Sequence, residues 1–524
     1  MENNNEKILS LIDKGKKGLL GLLFSRLGLV VLLLACKVLI ILAMMIYFRD
    51  YSPYYMIISS TLAILVAVYI INNNYIDPTS KITWLVVISA LPLFGTIFFC
   101  YTRSDIGFRA LKYAFSKSVS DTENILVQQH DVFENLQKES IATANLANYI
   151  QRSGHHPVYN DCETKYFSSG EEKFQQMLIE LEKAEKFIML EYFIIDEGVM
   201  WGRILEILAR KAKQGVDVMV MYDGSNEFTT LPRDYSRRLD KLGIKCRVFA
   251  PATPFVSTHY NYRDHRKILV IDNAVAFTGG VNLADEYINQ KEKYGRWKDS
   301  AIMVKGPAAE SFTLMFLQMW NITGGKTDYS KYTSYHSGCN YSNGYVIPYG
   351  DSPLDGDKLG RQVYMDIINR AEKYVYIMTP YLILDSEMET AIKFCAEKGI
   401  DVKIILPGVP DRKTPYALAR THYSSLIKSG VKIYEYTPGF VHSKVMVSDD
   451  HSAVAGTINL DYRSLYHHFE CAVFMYKTAC IDDILFDFEH TLLKCQKITV
   501  QDVRKTDIRL RLLGAIIKVI APLL

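Results

Sequence analysis

His265-Arg-Lys267-Ile-Leu-Val-Ile-Asp272 is followed, after six residues, by Gly279-Gly-Val-Asn282. The pattern returns in the second half of the chain as His442-Ser-Lys444-Val-Met-Val-Ser-Asp449 and Gly456-Thr-Ile-Asn459. Both copies read H-x-K-x4-D-x6-G-(G/T)-x-N. Identical spacing of five residue types in both halves indicates duplication rather than chance. The pattern predicts one site assembled from two half-sites, each of which supplies a histidine, a lysine and an asparagine.

The apolar runs inside the motifs favour buried strands. Ile-Leu-Val-Ile precedes Asp272 and Val-Met-Val-Ser precedes Asp449, and β-branched runs of this kind are typical of strands. His265 and Lys267 are two residues apart, so an extended chain points them to the same face. The glycines that follow predict a tight turn, which brings an asparagine amide close to a ligand.

Such a set of side chains suits a phosphodiester. Lys267 and Lys444 offer positive charge to the non-bridging phosphate oxygens, and Asn282 and Asn459 offer amide donors. One imidazole can attack phosphorus and carry a covalent intermediate, while the other protonates the leaving oxygen. Histidine suits both tasks because its ordinary pKa is about 6.5. Since the lysines supply the charge, the sequence predicts neither a metal nor a cofactor.

A carboxylate usually orients a histidine of this kind, and one candidate follows each motif. These candidates are Asp299 and Glu470. The motif residues Asp272 and Asp449 lie seven positions beyond their histidines, which is roughly 23 Å along an extended strand. They belong to the candidate catalytic motif by spacing, but we interpret them as structural residues that anchor turns.

The repeat extends beyond the motifs and predicts two domains. Gly215-Val-Asp217 matches Gly399-Ile-Asp401, for example, and each half reads as helices that alternate with strands. This alternation is typical of an α/β class with a parallel-rich sheet. We expect α/β domains at 166–335 and 340–505, related by a pseudo-twofold axis and packed face to face, with the site at their interface.

The segments outside these domains predict membrane association. Apolar stretches at 27–48, 54–71 and 82–101, within a membrane region at 1–104, each approach the ~20 residues that span a bilayer. Lysines and arginines flank both ends of this region, so both ends favour the cytoplasm. We expect 54–71 and 82–101 to form a transmembrane hairpin and 27–48, which contains Lys37, to be interfacial or re-entrant.

Three true spans, with the catalytic part outside the cell, remain an alternative. A helical connector at 105–165 and an amphipathic tail at 506–524 complete the chain. The tail carries three cations among apolar residues, which favours a helix on an anionic lipid surface. The nine cysteines are scattered and odd in number, which fits a reducing compartment better than a disulfide framework.

The flanks of both motifs resemble one known family. The motifs themselves resemble the HKD signature of the phospholipase D superfamily, and their surroundings resemble bacterial cardiolipin synthases from about residue 75 onwards. Tyr262–Lys267 resembles that family's YRNHRK, Gly279–Tyr287 its GGxNxxDEY, and Asn459–Glu470 its NxDxRS…NFE. Two positions depart, because Asp264 and His468 stand where that family usually has asparagine.

The resemblance implies a phospholipase D-like fold in the bacterial cell membrane, with cytoplasmic catalytic domains, and a ping-pong transfer. A phosphatidyl group would move from one phosphatidylglycerol to a histidine and then to a second phosphatidylglycerol, giving cardiolipin and glycerol. Phosphatidylglycerol, cardiolipin and other anionic membrane lipids are then the expected partners. We assign His265 as nucleophile and His442 as acid and base, although the pseudo-symmetry leaves the reverse open.

Other phosphatidyltransferases, a phospholipid hydrolase and a nuclease share this chemistry. The net charge of only +3 argues against a nucleic-acid partner, because non-specific DNA binding depends on many cations. The acyl preference, the alcohol acceptor and the oligomeric state stay open.

Overall fold

The computed structural model describes residues 39, 49–74, 76–103, 109–251, 262–324, 327–333 and 344–523. The apolar stretch 27–48, apart from Leu39, and its Lys37 lie outside the described residues. The chain divides into a larger unit, made mainly of 111–252 and 261–514, and a smaller unit, made of 16–110, 253–260 and 515–524.

The smaller unit contains three described helices: α1 (Ser52–Asn72), α2 (Pro78–Ala90) and α3 (Pro92–Arg103). In the described part of the chain, one helix is long and apolar enough to cross a membrane, Pro53–Asn72, with a mean hydropathy of 2.1. The stretch 82–101 is not one continuous helix, because α2 ends at Ala90 and α3 begins at Pro92. Proline lacks an N–H and disfavours a helical residue before it, and Leu91 accordingly has φ −134° and ψ 70°.

A small apolar cluster holds the smaller unit together. Ile70, Trp84, Ile88 and Phe99 are buried against one another, and the rings of Trp84 and Phe99 lie 5.1 Å apart. The hydroxyl of Thr83 donates to the carbonyl of Val519 at 2.7 Å. The end of the C-terminal tail therefore packs on α2.

The larger unit begins with three connector helices and continues with two similar halves. The connector helices are α4 (Arg109–Ser120), α5 (His130–Glu139) and α6 (Ile141–Gly154). The strands of the first half are β1 (Glu163–Phe167), β2 (Phe187–Tyr192), β3 (Asp217–Asp223), β4 (Lys245–Phe249), β5 (Arg263–Asp264), β6 (Lys267–Ile271), β7 (Val275–Gly279), β8 (Arg296–Lys298) and β9 (Ala301–Lys305). Its helices are α7 (Gly170–Glu182), α8 (Val199–Lys213), α9 (Asn226–Thr229), α10 (Tyr235–Asp240), α11 (Ala309–Ile322) and α12 (Ser330–Thr333).

The second half repeats this plan. Its strands are β10 (Tyr345–Asp351), β11 (Tyr374–Met378), β12 (Asp401–Pro407), β13 (Lys432–Tyr436), β14 (Gly439–Val441), β15 (Val445–Ser448), β16 (Ser452–Gly456), β17 (His468–Tyr476) and β18 (Cys495–Lys497). Its helices, with those of the tail, are α13 (Leu359–Arg370), α14 (Ser386–Glu397), α15 (Lys413–Lys428), α16 (Tyr462–Tyr466), α17 (Cys480–Leu492), α18 (Val500–Arg504) and α19 (Ile508–Ile520).

The two main sheets have the same strand order. The first runs β1-β9-β7-β6-β2-β3-β4, and the second runs β10-β17-β16-β15-β11-β12-β13 with β18 added at its edge. Each motif strand, β6 or β15, therefore lies in the middle of its sheet, between its hairpin partner, β7 or β16, and the strand β2 or β11. The sequence repeat therefore corresponds to two copies of the same strand arrangement.

The expectation of a parallel-rich sheet was wrong. Along the two strand orders given above, β2-β3-β4 and β11-β12-β13 pair in parallel, and the other neighbours are antiparallel. The reason lies in the turns after the motif strands, where Asp272, Asn273, Asp449 and Asp450 all have φ between 54° and 61°. Aspartate and asparagine tolerate this left-handed conformation, so each motif strand turns back into a hairpin.

Two short strand pairs join the halves. β5 pairs in parallel with the start of β17, with Arg263 opposite His468 and Asp264 opposite Phe469. β14 pairs in parallel with β8 in the same way. Each of these pairs leads directly into a motif histidine on one side and a candidate carboxylate on the other.

Candidate active site

The first motif histidine meets a carboxylate from the second half. Because Asp264 pairs with Phe469, the next residues along, His265 and Glu470, come side by side. The Nδ1 atom of His265 lies 2.9 Å and 3.0 Å from the two carboxylate oxygens of Glu470. The backbone N–H of His265 also donates to the carbonyl of Phe469 at 3.0 Å, which fixes this register.

The second motif histidine has the reciprocal arrangement. Val441 pairs with Lys298, so His442 comes beside Asp299, and its Nδ1 lies 2.7 Å from Oδ2 of that carboxylate. The backbone N–H of His442 donates to the carbonyl of Lys298 at 2.7 Å. Each half thus supplies the carboxylate for the histidine of the other half, and all four side chains are buried.

Both motif lysines are buried beside the histidines. The ammonium of Lys267 donates to the carbonyl of His265 at 2.6 Å, and that of Lys444 donates to the carbonyl of His442. Burial lowers the pKa of Lys267 to about 8 and that of Lys444 to about 7. A buried ammonium group with no bound anion is costly, so this pair of charges suits an anionic ligand.

The electrostatics keep both imidazoles neutral. Burial, and then the charges of Lys267 and Lys444, hold the pKa of His265 well below its usual 6.5. Burial and Lys444 lower the pKa of His442 to about 4, although Asp299 opposes them. A neutral ring that donates its Nδ1–H to a carboxylate carries its lone pair on Nε2, which is the form of a nucleophile or a base.

The two motif asparagines are held by the protein. The Asn282 amide accepts from the N–H of Ile194 at 3.0 Å and donates to the hydroxyl of Tyr287 at 2.9 Å. The side-chain oxygen of Asn459 is buried and lacks a hydrogen-bond partner among the described residues. These contacts leave the phosphate-binding role of the asparagines as a prediction, and an unpaired amide oxygen fits a hydroxyl donor better than a phosphate.

The motif aspartates lie away from the histidines, as their spacing predicted. The carboxylate of Asp272 accepts from the N–H groups of Glu185, Lys186 and Phe187 at 2.6–2.9 Å. The carboxylate of Asp449 accepts from three consecutive N–H groups in the same way, at 2.8–2.9 Å. These contacts support a structural role rather than a catalytic one, because both carboxylates tie the motif hairpin to the start of a neighbouring strand.

Several neighbours of the histidines were missed by the sequence reasoning. The ring of Phe193 lies 4.9 Å from His265, and those of Trp297, Tyr287 and Phe440 lie 5.3–5.9 Å from His442. Tyr287 ends the quoted stretch Gly279–Tyr287, whereas Phe193, Trp297 and Phe440 lie outside both repeated motifs. These side chains surround both rings with apolar surface, which accounts for much of the burial that lowers the histidine pKa values.

A buried pair of acids lies behind His265. Burial raises the pKa of Asp264 to about 7, against the opposing charge of Arg266, and raises that of Glu191 well above its usual value. The guanidinium of Arg266 is fully buried and donates to the carbonyl of Glu470 at 3.1 Å. The departure at position 264 thus introduces an ionisable group immediately beside the site.

Two similar α/β halves that share a pair of motif histidines agree with the phospholipase D-like fold that the sequence resemblance implies. A family model described as the phospholipase D-like domain of cardiolipin synthase matches residues 177–320 and 364–492, and a second, described as phospholipase D-nuclease N-terminal, matches 61–99. The chain therefore belongs to the phospholipase D-like cardiolipin synthase family.

Three known proteins illustrate this relationship. An uncharacterised protein of Streptococcus mutans serotype c is 55% identical over 86% of this chain and 98% of its own length. A cardiolipin synthase of Alkalihalophilus pseudofirmus is 32% identical over 85% of this chain and 89% of its own. The crystal structure of phosphatidylserine synthase from Haemophilus influenzae shares the fold, with a TM-score of 0.55 and 14% identity over 73% of this chain and 98% of that one.

Proposed function

We propose that the protein is a membrane-bound cardiolipin synthase, which transfers a phosphatidyl group from one phosphatidylglycerol to another through a phosphohistidine. The observation that carries the proposal is the pair of crossed dyads, His265–Glu470 and His442–Asp299, at 2.9 Å and 2.7 Å. Similarity to cardiolipin synthases over most of their length supports this choice of substrate.

In the first step, Nε2 of His265 attacks the phosphorus of the donor lipid. The P–N bond forms while the bond from phosphorus to the headgroup glycerol breaks, and His442, which takes up a proton when the anionic lipid raises its pKa, gives that proton to the departing oxygen. Lys267 and Lys444 neutralise the charge that grows on the phosphate oxygens. Glu470 stabilises the positive charge that His265 acquires.

In the second step, a hydroxyl group of the second phosphatidylglycerol attacks the same phosphorus. His442 removes the hydroxyl proton with the lone pair that the first step left on it, and the P–N bond breaks. Cardiolipin leaves and both imidazoles return to their initial state. No oxidation or reduction occurs, and the atoms of two phosphatidylglycerols equal those of cardiolipin and glycerol.

The proposed membrane topology places α1 across the bilayer, followed by α2 and α3 as a bent return, and the catalytic domains in the cytoplasm. Exposed apolar side chains along α1, such as Ile57, Ile64 and Leu65, support contact with lipid.

Fusions after the last residue test this topology. Green fluorescent protein should fluoresce and alkaline phosphatase should be inactive; the opposite pair of results would place the catalytic domains outside.

The first experiment incubates the full-length protein with phosphatidylglycerol vesicles and quantifies lipids and free glycerol by mass spectrometry. Cardiolipin and glycerol should form in equal amounts, and His265→Ala and His442→Ala should abolish both products. His451→Ala is the matched control, because His451 bonds Ser452 at a hairpin turn and should leave the rate unchanged. Phosphatidic acid as the main product would instead identify a hydrolase and overturn the synthase assignment.

A further inference from the structure

A third histidine lies beside the first dyad. The imidazole of His468 is buried; its Nδ1 lies 3.5 Å from Oε1 of Glu470, and its Nε2 has no hydrogen-bond partner among the described residues. Its ring centre is 5.3 Å from that of His265. A buried polar group without a good partner costs free energy, and a bound ligand would remove this cost.

Glu470 lies between the two imidazoles. Its Oε1 is 2.9 Å from Nδ1 of His265 and 3.5 Å from Nδ1 of His468. One ligand atom from each of the three residues lies within 4.8 Å of the other two. A tetrahedral zinc ion with bonds of about 2.0–2.1 Å keeps its ligand atoms about 3.3–3.4 Å apart, so small side-chain movements bring the three atoms onto one ion.

We propose that His265, His468 and Glu470 form a binding site for a divalent transition metal such as Zn²⁺, and that metal binding there inhibits the enzyme. Two imidazoles and one carboxylate form a donor set that zinc prefers, whereas Mg²⁺ and Ca²⁺ prefer oxygen ligands alone. Binding at this site is independent of the proposed function. Inhibition rests on it, because the argument takes His265 as the nucleophile.

The inhibition follows from the tautomer of His265. In the free protein its Nδ1–H faces Glu470 and the lone pair lies on Nε2. A metal on Nδ1 needs the lone pair there, so the proton moves to Nε2 and the ring stays neutral. His265 then carries a proton on the atom that would attack phosphorus, and the metal also takes Glu470 from its orienting role.

The first test measures metal binding to the full-length protein in nanodiscs, with Co²⁺ as a spectroscopic probe. The wild type should bind one Co²⁺ per chain with visible d–d bands, and Zn²⁺ but not Mg²⁺ should displace it. His468→Asn should weaken binding by at least about tenfold, since even loss of an outer partner of a metal ligand costs about 10–100-fold. His451→Asn, at a surface turn, should bind Co²⁺ like the wild type.

The second test measures phosphatidylglycerol turnover against Zn²⁺ concentration, with each variant compared to its own metal-free rate. Zn²⁺ should inhibit the wild type and His451→Asn equally and His468→Asn at concentrations at least about tenfold higher. Absence of Co²⁺ bands in the wild type, or equal Co²⁺ binding by His468→Asn, would overturn the site. Co²⁺ binding without any lipid turnover would support the site and overturn the proposed function.

Discussion

The two halves of the site contain the same parts in different surroundings. A buried acid, Asp264, precedes His265, whereas Val441 precedes His442. Nδ1 of His265 lies within hydrogen-bond distance of both carboxylate oxygens of Glu470, whereas Nδ1 of His442 lies within that distance of one carboxylate oxygen of Asp299. The pKa of His265 lies well below 6.5, and that of His442 at about 4. The repeated motif therefore fixes where the histidines lie, while their neighbours decide how easily each one gains a proton.

This difference supports the assignment of roles. A nucleophile must be neutral, and after burial the charges of Lys267 and Lys444, which also lower the pKa of His442, are the main causes that lower the pKa of His265. A general acid must hold a proton, and His442 has Asp299, which raises its pKa against the effect of burial. A bound phosphodiester adds negative charge between the rings, so it raises both pKa values and brings the acid nearer to neutral pH.

The largest expected effect separates the two roles directly. His442→Ala should slow the reaction with phosphatidylglycerol by roughly 10²–10⁴-fold, the usual contribution of a general acid or base. With a p-nitrophenyl phosphatidyl ester, whose leaving group needs no proton, the variant should give a burst of p-nitrophenolate and accumulate a lipid adduct on His265. Peptide mass spectrometry at alkaline pH locates the adduct. An adduct on His442, formed by His265→Ala, would reverse the assignment.

The crossed carboxylates should have the next largest effect. Glu470→Gln should slow formation of the His265 adduct by roughly 10²-fold or more, and Asp299→Asn should impair proton transfer to a similar extent, because each change removes the orienting charge. Single-turnover kinetics with the p-nitrophenyl ester distinguish them, since only Glu470→Gln should slow the burst. Glu389→Gln is the control, as Glu389 lies 2.7 Å from His422 outside both motifs. A slower burst in Asp299→Asn alone would contradict the crossed pairing.

The lysines should set an alkaline limit to activity. With pKa values of about 8 and about 7 for Lys267 and Lys444, their charged forms are present below these values and are lost as the pH rises through them. We expect kcat/KM to fall by up to about tenfold per pH unit for each lysine. Bound phosphate favours the ammonium form, so the fall in kcat should occur at higher pH. Constant kcat/KM between pH 6 and 10 would contradict this prediction.

Asp264→Asn should stabilise the protein at neutral and alkaline pH. The pKa of Asp264 in the folded protein, about 7, lies above its ordinary value of 3.8, so its contribution to stability is present in acid and is lost as the pH rises towards 7. The asparagine variant avoids this loss. The gain in its free energy of unfolding over the wild type should be about 1–3 kcal/mol larger at pH 8 than at pH 5, measured by urea unfolding at both values. An equal difference at both values would show that Asp264 does not titrate.

The smallest effects should be equal in the two halves. Asp272→Ala and Asp449→Ala each leave three backbone N–H groups without acceptors, at a cost of about 1–3 kcal/mol of stability. Turnover per folded molecule should stay unchanged, since neither carboxylate contacts a motif histidine. A loss of turnover without a loss of stability would indicate that these two carboxylates take part in catalysis.

The motif residues were predictable because both copies share one spacing, and Asp299 and Glu470 were predictable as histidine partners. The crossing was not predictable, because it depends on strand pairs of two or three residues, β5 with β17 and β8 with β14, which carry no periodic pattern. The antiparallel hairpins were missed for a related reason: positive φ at Asp272 and Asp449 decides the direction of the next strand. Pro92 was the available signal that 82–101 does not form a single helix.

Because each histidine pairs with a carboxylate of the other half, neither dyad can form before both halves of the chain have been made. A nascent chain that has completed only its first half carries His265 without Glu470 and Asp299 without His442. Neither dyad exists until the residues near position 470 have been made and have docked. An unfinished or half-unfolded copy therefore lacks both complete dyads, so the proposed chemistry requires that both halves have been made, folded and docked.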